Sequence, residues 1–468
     1  MQFSSMIISD NDIYTSGIGA IIDSIYIDDL GFCSRFSLSG ELKKQQYYGK
    51  YPKTVEFRSS NLIKVSDKYF AAAGLNQDSS FSLIMLDSNC NRIFQKEYKP
   101  KSNQYYFFIP YSITLLQNRD FAVVVPVSYD KYLATAVVIT DSMGNQKSLF
   151  EYPVSAFYNN QISKKILNTR SDNLLLISYN FPDIDIIEPT FKIVTQLREI
   201  DTAGLVVWEY NTPSNRYIYG NSVQQLSNGN FLIWGKEDYP RKSGRFQVYD
   251  SKAYISEVNK NNGVLWERHF DFGIGSNFTD VKILKDSSIL AVGDALTLKD
   301  TTSYGILFKM NNRHDSVFTR YLHNQKLRTS YSNESRLVQL ETLKNGDLIM
   351  AGHFFDTKRS PTQGQWGWLM HTDSLGCFAS NCGITTIESI ENTSLNLFPN
   401  PSNSAVSLQI ENLNNANYDV SVFNSLGERI YFGFNISSFE VNNFPNGLYI
   451  VKVKISNKEI IKKIIIQH

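Results

Sequence analysis

Few side chains in this 468-residue chain are spaced to do chemistry. The four cysteines are Cys33, Cys90, Cys377 and Cys382, and only the last two are near each other. No close cysteine pair and neighbouring histidines complete four ligands, which disfavours zinc. The six histidines, His269, His314, His323, His353, His371 and His468, form no His-Glu-x-x-His or similar spacing. A metal hydrolase therefore has little support, and no metal or other cofactor is expected. Neither a Gly-x-Ser-x-Gly elbow nor a Gly-x-x-x-x-Gly-Lys phosphate loop occurs. Asp87-Ser-Asn89-Cys-Asn91 has the oxygen spacing that opens a calcium loop, but no glycine stands sixth and no glutamate twelfth, so a hairpin turn is expected.

Whatever these residues do, β-structure must position them. Tyr (27) and Phe (30) are abundant and favour strands, while helix-forming stretches are nearly absent. The 46 basic and 45 acidic residues almost cancel, which argues against a dedicated nucleic-acid surface. No run of 18 apolar residues occurs, so no transmembrane segment is expected. The length calls for at least two domains.

Residues 1–382 repeat. The clearest copy is Ser222-Val-Gln-Gln-Leu-Ser-Asn-Gly-Asn-Phe-Leu-Ile-Trp-Gly235, continued by Ala253–Asn259 and Gly263–Phe270. Equivalent positions fall at 17, 74, 126, 179, 235, 293 and 352, with Pro126 and Tyr179 replacing the usual glycine. A period of this size, with four strand signals per copy, marks propeller blades, and seven are expected. Phe231-Leu-Ile-Trp234 is apolar throughout, as a strand covered on both faces must be. Asp141-Ser-Met-Gly144, Asp201-Thr-Ala-Gly204 and Asp373-Ser-Leu-Gly376 are turns in which Asp bonds backbone amides and Gly takes the left-handed position. Asp201–Trp208 and Asn262–Trp266 resemble the turn-and-strand of bacterial exported propeller repeats, with Trp packing between blades. The seventh copy lacks an outer strand. Nothing precedes the first copy to lend one, and the start lacks a signal peptide. One expectation covers both: the true start lies upstream, or the chain is processed. Alternatively Thr385–Ile390 supplies the closing strand.

The tail, residues 394–468, follows a linker at 383–393. It runs Leu-Phe-Pro-Asn-Pro (397–401), Val-Ser-Val-Phe-Asn-Ser-Leu-Gly-Glu (420–428), Phe-Pro-Asn-Gly-Leu-Tyr-Ile-Val-Lys-Val (444–453) and Lys-Lys-Ile-Ile-Ile-Gln-His (462–468). Pro399 and Pro401 forbid a helix start, and alternating runs at 406–410 and 418–422 predict half-buried strands. Turn signals end at Gly427 and Gly447, each expected at φ > 0. These features predict an Ig-like antiparallel β-sandwich of about seven short strands. In order and motifs the tail resembles the type A C-terminal sorting domain of proteins exported by the type IX secretion system of Bacteroidetes. An ordinary Ig-like binding module is the alternative.

The resemblance implies a secreted or surface-attached protein whose partners are the secretion machinery and its C-terminal signal-processing enzyme. It points to Pro399, Asn400, Pro401, Gly427, Gly447, Tyr449, Lys462 and Lys463 as the motif residues. In an oxidising compartment Cys377 and Cys382 would form a disulfide pinning the last repeat turn, while Cys33 and Cys90 cannot be paired from sequence. Ser142, Thr202 and Ser374 sit in turns similar to Bacteroidetes O-glycan acceptors, though the turn alone explains those residues. The expected cargo is a non-catalytic propeller binding a glycan or peptide; Tyr239, Arg241, Arg245, Phe246 and Tyr249 of one long loop offer contacts, although a solvated long hairpin is the stronger reading of that loop. Phe355–Gln365 is expected to form a second such loop. The alternative is an extracellular hydrolase or lyase using carboxylates or histidines, such as His353, at the central funnel.

Overall fold

The computed structural model describes residues 2–23, 26–50, 53–57, 62–76, 78–100, 105–107, 109–129, 132–152, 160–181, 193–243, 246–296, 303–322, 335–356, 364–378, 395–410, 418–424, 428–455 and 458–468. It is all-β and divides into two compact units, Met1–Ser380 and Asn381–His468.

In the first unit, consecutive strands pair antiparallel and then hand on to the next group. Tyr217–Gln225, Phe231–Ser243, Phe246–Asn259 and Gly263–Phe270 form one four-stranded sheet in chain order, from inner to outer strand. Residues 277–322 repeat it, as do 2–50 and 160–211. At 53–98 and 105–152 the inner strand is in two pieces on one partner, Lys53–Glu56 with Leu62–Ser66 and Tyr105–Phe107 with Ser112–Leu115. Residues 335–372 contribute three strands among the described residues.

The packing explains the uniformly apolar second strands. Phe231 and Ile233 face Leu175, Ile177 and Leu197 of the preceding group, whereas Leu232 and Trp234 face Phe278, Ala291 and Ile306 of the following one. A strand covered on both faces has no polar side to show. The last group packs on the first by the same means: Ile349 and Ala351 meet Phe3, Met6, Ile13 and Phe32. Gln339 Oε1 accepts from the Met6 amide at 2.7 Å, and His371 Nδ1 lies 3.2 Å from the Leu38 carbonyl oxygen. The first and last groups thus meet face to face. Thr385–Ile390, expected as a closing strand, lies outside the described residues.

The outer hairpin turns form as expected. Asp141 Oδ1 accepts from the amides of Met143 (2.9 Å) and Asn145 (2.7 Å), and Asp87, Asp201 and Asp373 repeat this. Asp87 is therefore a turn residue, with its oxygens spent on Asn89 and Asn91. Gly144, Gly204 and Gly376 have φ of 78°, 84° and 76°, where a Cβ is strained.

The second unit pairs Leu395–Phe398, Ala405–Ile410 and Ser438–Glu440 in one sheet. Arg429–Phe434, Tyr418–Phe423, Gly447–Ile455 and Lys458–Ile466 form the other. Alternate residues, among them Val406, Val420, Val422, Val451 and Ile464, are fully buried in a shared core. Gly447 differs from expectation. Its φ is not left-handed, because it opens a strand opposite Ile466 instead of closing a turn.

Candidate functional site

Inner strands neighbour one another in a closed cycle, so their side chains converge on a common axis. Five of them carry a bulge at a repeated place: Ser4, Lys164, Asn221, Thr279 and Val338 are extra residues in their ladders. The repeated glycine lies opposite. A Cβ on Gly17, Gly235, Gly293 or Gly352 would sit 1.8, 1.9, 1.8 or 2.0 Å from the carbonyl oxygen of Gln2, Tyr219, Asn277 or Arg336. The period in the sequence is thus the period of a backbone contact. In the fourth group the bulge falls opposite Ser178, not Tyr179, so the equivalent position moves by one residue.

The bulge turns its side chain along the ring. Asn221 Nδ2 donates to Asn277 Oδ1 (2.6 Å) and the Phe278 carbonyl (2.7 Å) of the next group. Thr279 Oγ1 is 2.7 Å from the Leu337 carbonyl oxygen of the group after that. Lys164 does something else. Its Nζ sits 4.2 Å from the centre of the Tyr111 ring and 5.3 Å from that of Tyr179. Tyr179 meets Tyr219 edge-on at 5.5 Å and donates to Asn221 Oδ1 at 2.7 Å. Lys236 stands 4.6 Å over the Tyr219 ring and pairs with Asp238 at 2.9 Å, and Arg336 pairs with Asp294 at 3.2 Å.

Three cations and three tyrosines therefore cluster where the inner strands meet. Lys236 and Arg336 have carboxylate partners, but among the described residues no carboxylate pairs with Lys164. Burial, with repulsion from Arg336, pushes its ammonium down to about 8. His353 is buried next to Arg336, and burial first and Arg336 second push it down to about 4, so the ring is neutral at pH 7. Elsewhere on the inner strands, Asp280 Oδ2 accepts from the Leu340 amide (3.0 Å) and Lys282 pairs with Glu341 (2.8 Å). Burial raises both carboxyls, Asp280 and Glu341, and lowers Lys165. Each of these carboxylates is already held by a structural partner.

The stretch at 239–250 is a long strand hairpin, the stronger of the two readings of that loop, with Tyr239 opposite Asp250 and Ser243 opposite Phe246. The side chains of Arg241, Arg245, Phe246 and Tyr249 lie outside the described set. Tyr239 turns back to its own sheet, donating to Glu237 Oε2 at 3.0 Å. There Arg216 grips Glu237 (2.8 and 2.6 Å) and Glu267 (2.9 Å), next to His269. Residues 357–363 of the other loop are not described.

In the second unit Asn400 joins the two ends of the motif. Its Oδ1 accepts from the Ile465 amide (2.9 Å) and its Nδ2 donates to the Lys463 carbonyl (3.2 Å). The flanking Pro399 and Pro401 both follow cis peptide bonds. Tyr449 is buried and donates to the Pro445 carbonyl at 2.7 Å. Lys462 and Lys463 are exposed on the last strand, opposite Val451 and Ile450. Gly427 and Cys382 lie outside the described residues, and Cys377 is buried in the last hairpin turn.

One recurring contact passed unnoticed in the sequence. Tyr48, Tyr98 and Tyr152, near the ends of successive outer strands, donate to the turn carbonyls of Cys90, Gly144 and Gly204 in the next group at 2.6, 2.6 and 2.9 Å. A tyrosine recurring about once per repeat was the available signal.

Residues 396–467 match the family described as the secretion system C-terminal sorting domain. The chain therefore ends in a type IX sorting domain, and the protein is secreted or attached to the outer-membrane surface. That domain implies interaction with the type IX machinery. No described helix is long and apolar enough to cross a membrane. No curated protein matches the chain in sequence. The β-rich region before the tail resembles propeller structures. Similar solved structures include polysaccharide lyase Uly1, at 8% identity and TM-score 0.45 over 79% of this chain and 90% of that one. The GH93 α-L-arabinofuranosidase of Fusarium graminearum is similar at 12% and 0.38 over 66% and 91%. A protein of unknown function from Bacteroides caccae is similar at 13% and 0.37 over 63% and 87%.

Proposed function

We propose that residues 1–382 form a seven-bladed propeller that binds an anionic glycan or peptide without transforming it. A linker at 383–393 joins it to the sorting domain at 394–468, which the export machinery and its C-terminal signal-processing enzyme read. The blade count is supported by hydrophobic clusters that each bridge two successive strand groups, the last of them returning to the first. A Cys377–Cys382 disulfide would pin the final turn.

The observation carrying the binding role is Lys164, a half-buried cation on two tyrosine faces with no described counter-charge. Tyrosine faces suit sugar rings and aromatic side chains, and a carboxylate or sulfate on the ligand would supply the missing charge. Binding is favoured over hydrolysis by the way these carboxylates are partnered: Asp280 accepts from the Leu340 amide, Glu341 pairs with Lys282 and Asp294 with Arg336. The test is a glycan and peptide array probed with the full chain and with Lys164→Met. Retention of anionic ligands that the variant loses supports the reading. Equal retention by both chains, or cleaved products from any retained ligand, overturns it.

A further inference from the structure

Cys33 and Cys90 belong to different strand groups, 57 residues apart, yet their Sγ atoms lie 2.8 Å from each other. That is about 0.8 Å beyond the length of a disulfide bond, about 2.0 Å. Both side chains are fully buried. Cys33 lies in the strand Tyr26–Ser37, and Cys90 in the outer hairpin turn between Phe81–Asp87 and Arg92–Tyr98.

The turn gives a second, independent sign. Cys90 has φ 59°, at the place where four other groups use Gly40, Gly144, Gly204 and Gly376 and a fifth uses His314. A side chain there is strained, and glycine removes the strain at no cost to the turn. A cysteine kept at a glycine position, aimed at another cysteine, is placed for its sulfur. The turn is also clamped to the first group by three side chains. Tyr48 donates to the Cys90 carbonyl (2.6 Å), Tyr14 to the Ser88 carbonyl (3.1 Å), and Arg35 Nη1 to Asn89 Oδ1 (2.9 Å).

We propose that Cys33 and Cys90 join in a disulfide during export, bonding the first strand group covalently to the second. The route to the cell surface crosses an oxidising compartment where such bonds persist. The step balances through thiol–disulfide exchange. One thiolate attacks the disulfide of a periplasmic thiol oxidase and forms a mixed disulfide. The second thiolate then displaces the oxidase as its dithiol, which carries off two electrons and two protons. The folded protein gives an oxidant no access to either sulfur, so the bond forms before the second group settles on the first. For the same reason it resists reductants once folding is complete. Closing a 57-residue loop lowers the unfolding constant on the order of a thousand-fold in the chain-entropy account.

The test uses full-length protein collected after export by its native host, denatured without reductant, alkylated, digested and weighed. The expected result is a Cys33–Cys90 linked peptide, about 2 Da lighter than its two parts, with neither thiol alkylated until reductant is added. A Cys33→Ser/Cys90→Gly chain, which restores the glycine of the sister turns, should fold. Its unfolding midpoint should no longer shift when denaturation is repeated with reductant, after allowance for the shift remaining from Cys377 and Cys382. Alkylation of both thiols in the unreduced exported protein overturns the proposal, as does linkage of either to Cys377 or Cys382.

Discussion

Replacing Gly293 with alanine tests whether the repeated glycine answers to the bulged inner strand. The new Cβ would lie 1.8 Å from the Asn277 carbonyl oxygen, where real Cβ atoms keep at least 3.0 Å, so the two strands must part by about 1.2 Å. The obstructing atom is backbone and cannot rotate away. It is next to Phe278 and Thr279, whose contacts with Asn221 and Leu337 tie three groups together. Overpacking of this kind costs roughly 1–3 kcal/mol, and one strained or lost hydrogen bond adds about 1 kcal/mol. We expect Gly293→Ala to lose about 3 kcal/mol. Two controls separate this from a generic glycine effect. Gly229 has φ 86° and open space around it, so alanine there should cost about 1 kcal/mol for the left-handed backbone alone. Gly275 has ordinary 3.6 Å contacts and no left-handed φ, so alanine there should be neutral or slightly stabilising. Urea unfolding followed by tryptophan fluorescence reads the correct unit, because Trp208, Trp234, Trp266, Trp366 and Trp368 all precede residue 381. A Gly293→Ala chain as stable as Gly275→Ala would refute the bulge argument.

Arg216→Ala leaves the 5% exposed carboxylate of Glu237 without its bidentate partner and should cost about 3–5 kcal/mol in the same urea titration. Burial alone would raise the Glu237 carboxyl, but Arg216 holds it below the usual range. Its contribution is therefore complete above the ordinary glutamate range and lost as pH falls through the depressed folded value, a dependence that Arg216→Ala should abolish. Tyr98→Phe removes the donor to the buried Gly144 carbonyl and should cost about 1–2 kcal/mol by chemical denaturation. Asn400→Ala frees the Ile465 amide, whose hydrogen exchange should speed up several-fold relative to neighbouring last-strand amides. Because Lys164 loses its charge near pH 8, retention of anionic ligands should weaken between pH 7 and 9, and Lys164→Met should flatten that profile in a binding titration.

Features that rest on backbone demands were legible in the sequence. Gly17, Gly235, Gly293 and Gly352 recur because no other residue fits against the bulge, and Asp87, Asp141, Asp201 and Asp373 recur because they cap hairpin amides. Phe231–Trp234 showed its two-sided burial as an unbroken apolar run. The cluster around Lys164 was not legible. Tyr111, Lys164, Tyr179, Tyr219 and Arg336 come from several strand groups, and Lys164 faces its tyrosines because of a bulge that leaves no mark in composition. Long-range partners were equally hidden, since nothing near Asn400 names Ile465 and nothing near Cys33 names Cys90. At 239–250 the sequence allowed a contact loop or a long hairpin, and its loop-like composition, rich in Arg, Lys, Pro and Gly, sits in paired strands whose ladder runs to Ser243 and Phe246.

The seam between Phe3 and Gly367, with Gln339 reaching back to Met6, sets a timetable. Its two sides are made far apart in time, so the circle stays open until residues 335–372 have been delivered. The address label comes next along the polypeptide. Machinery that waits for the label consequently meets a cargo whose residues 335–372 have already been made, and a chain cut short before the seam never presents the label at all.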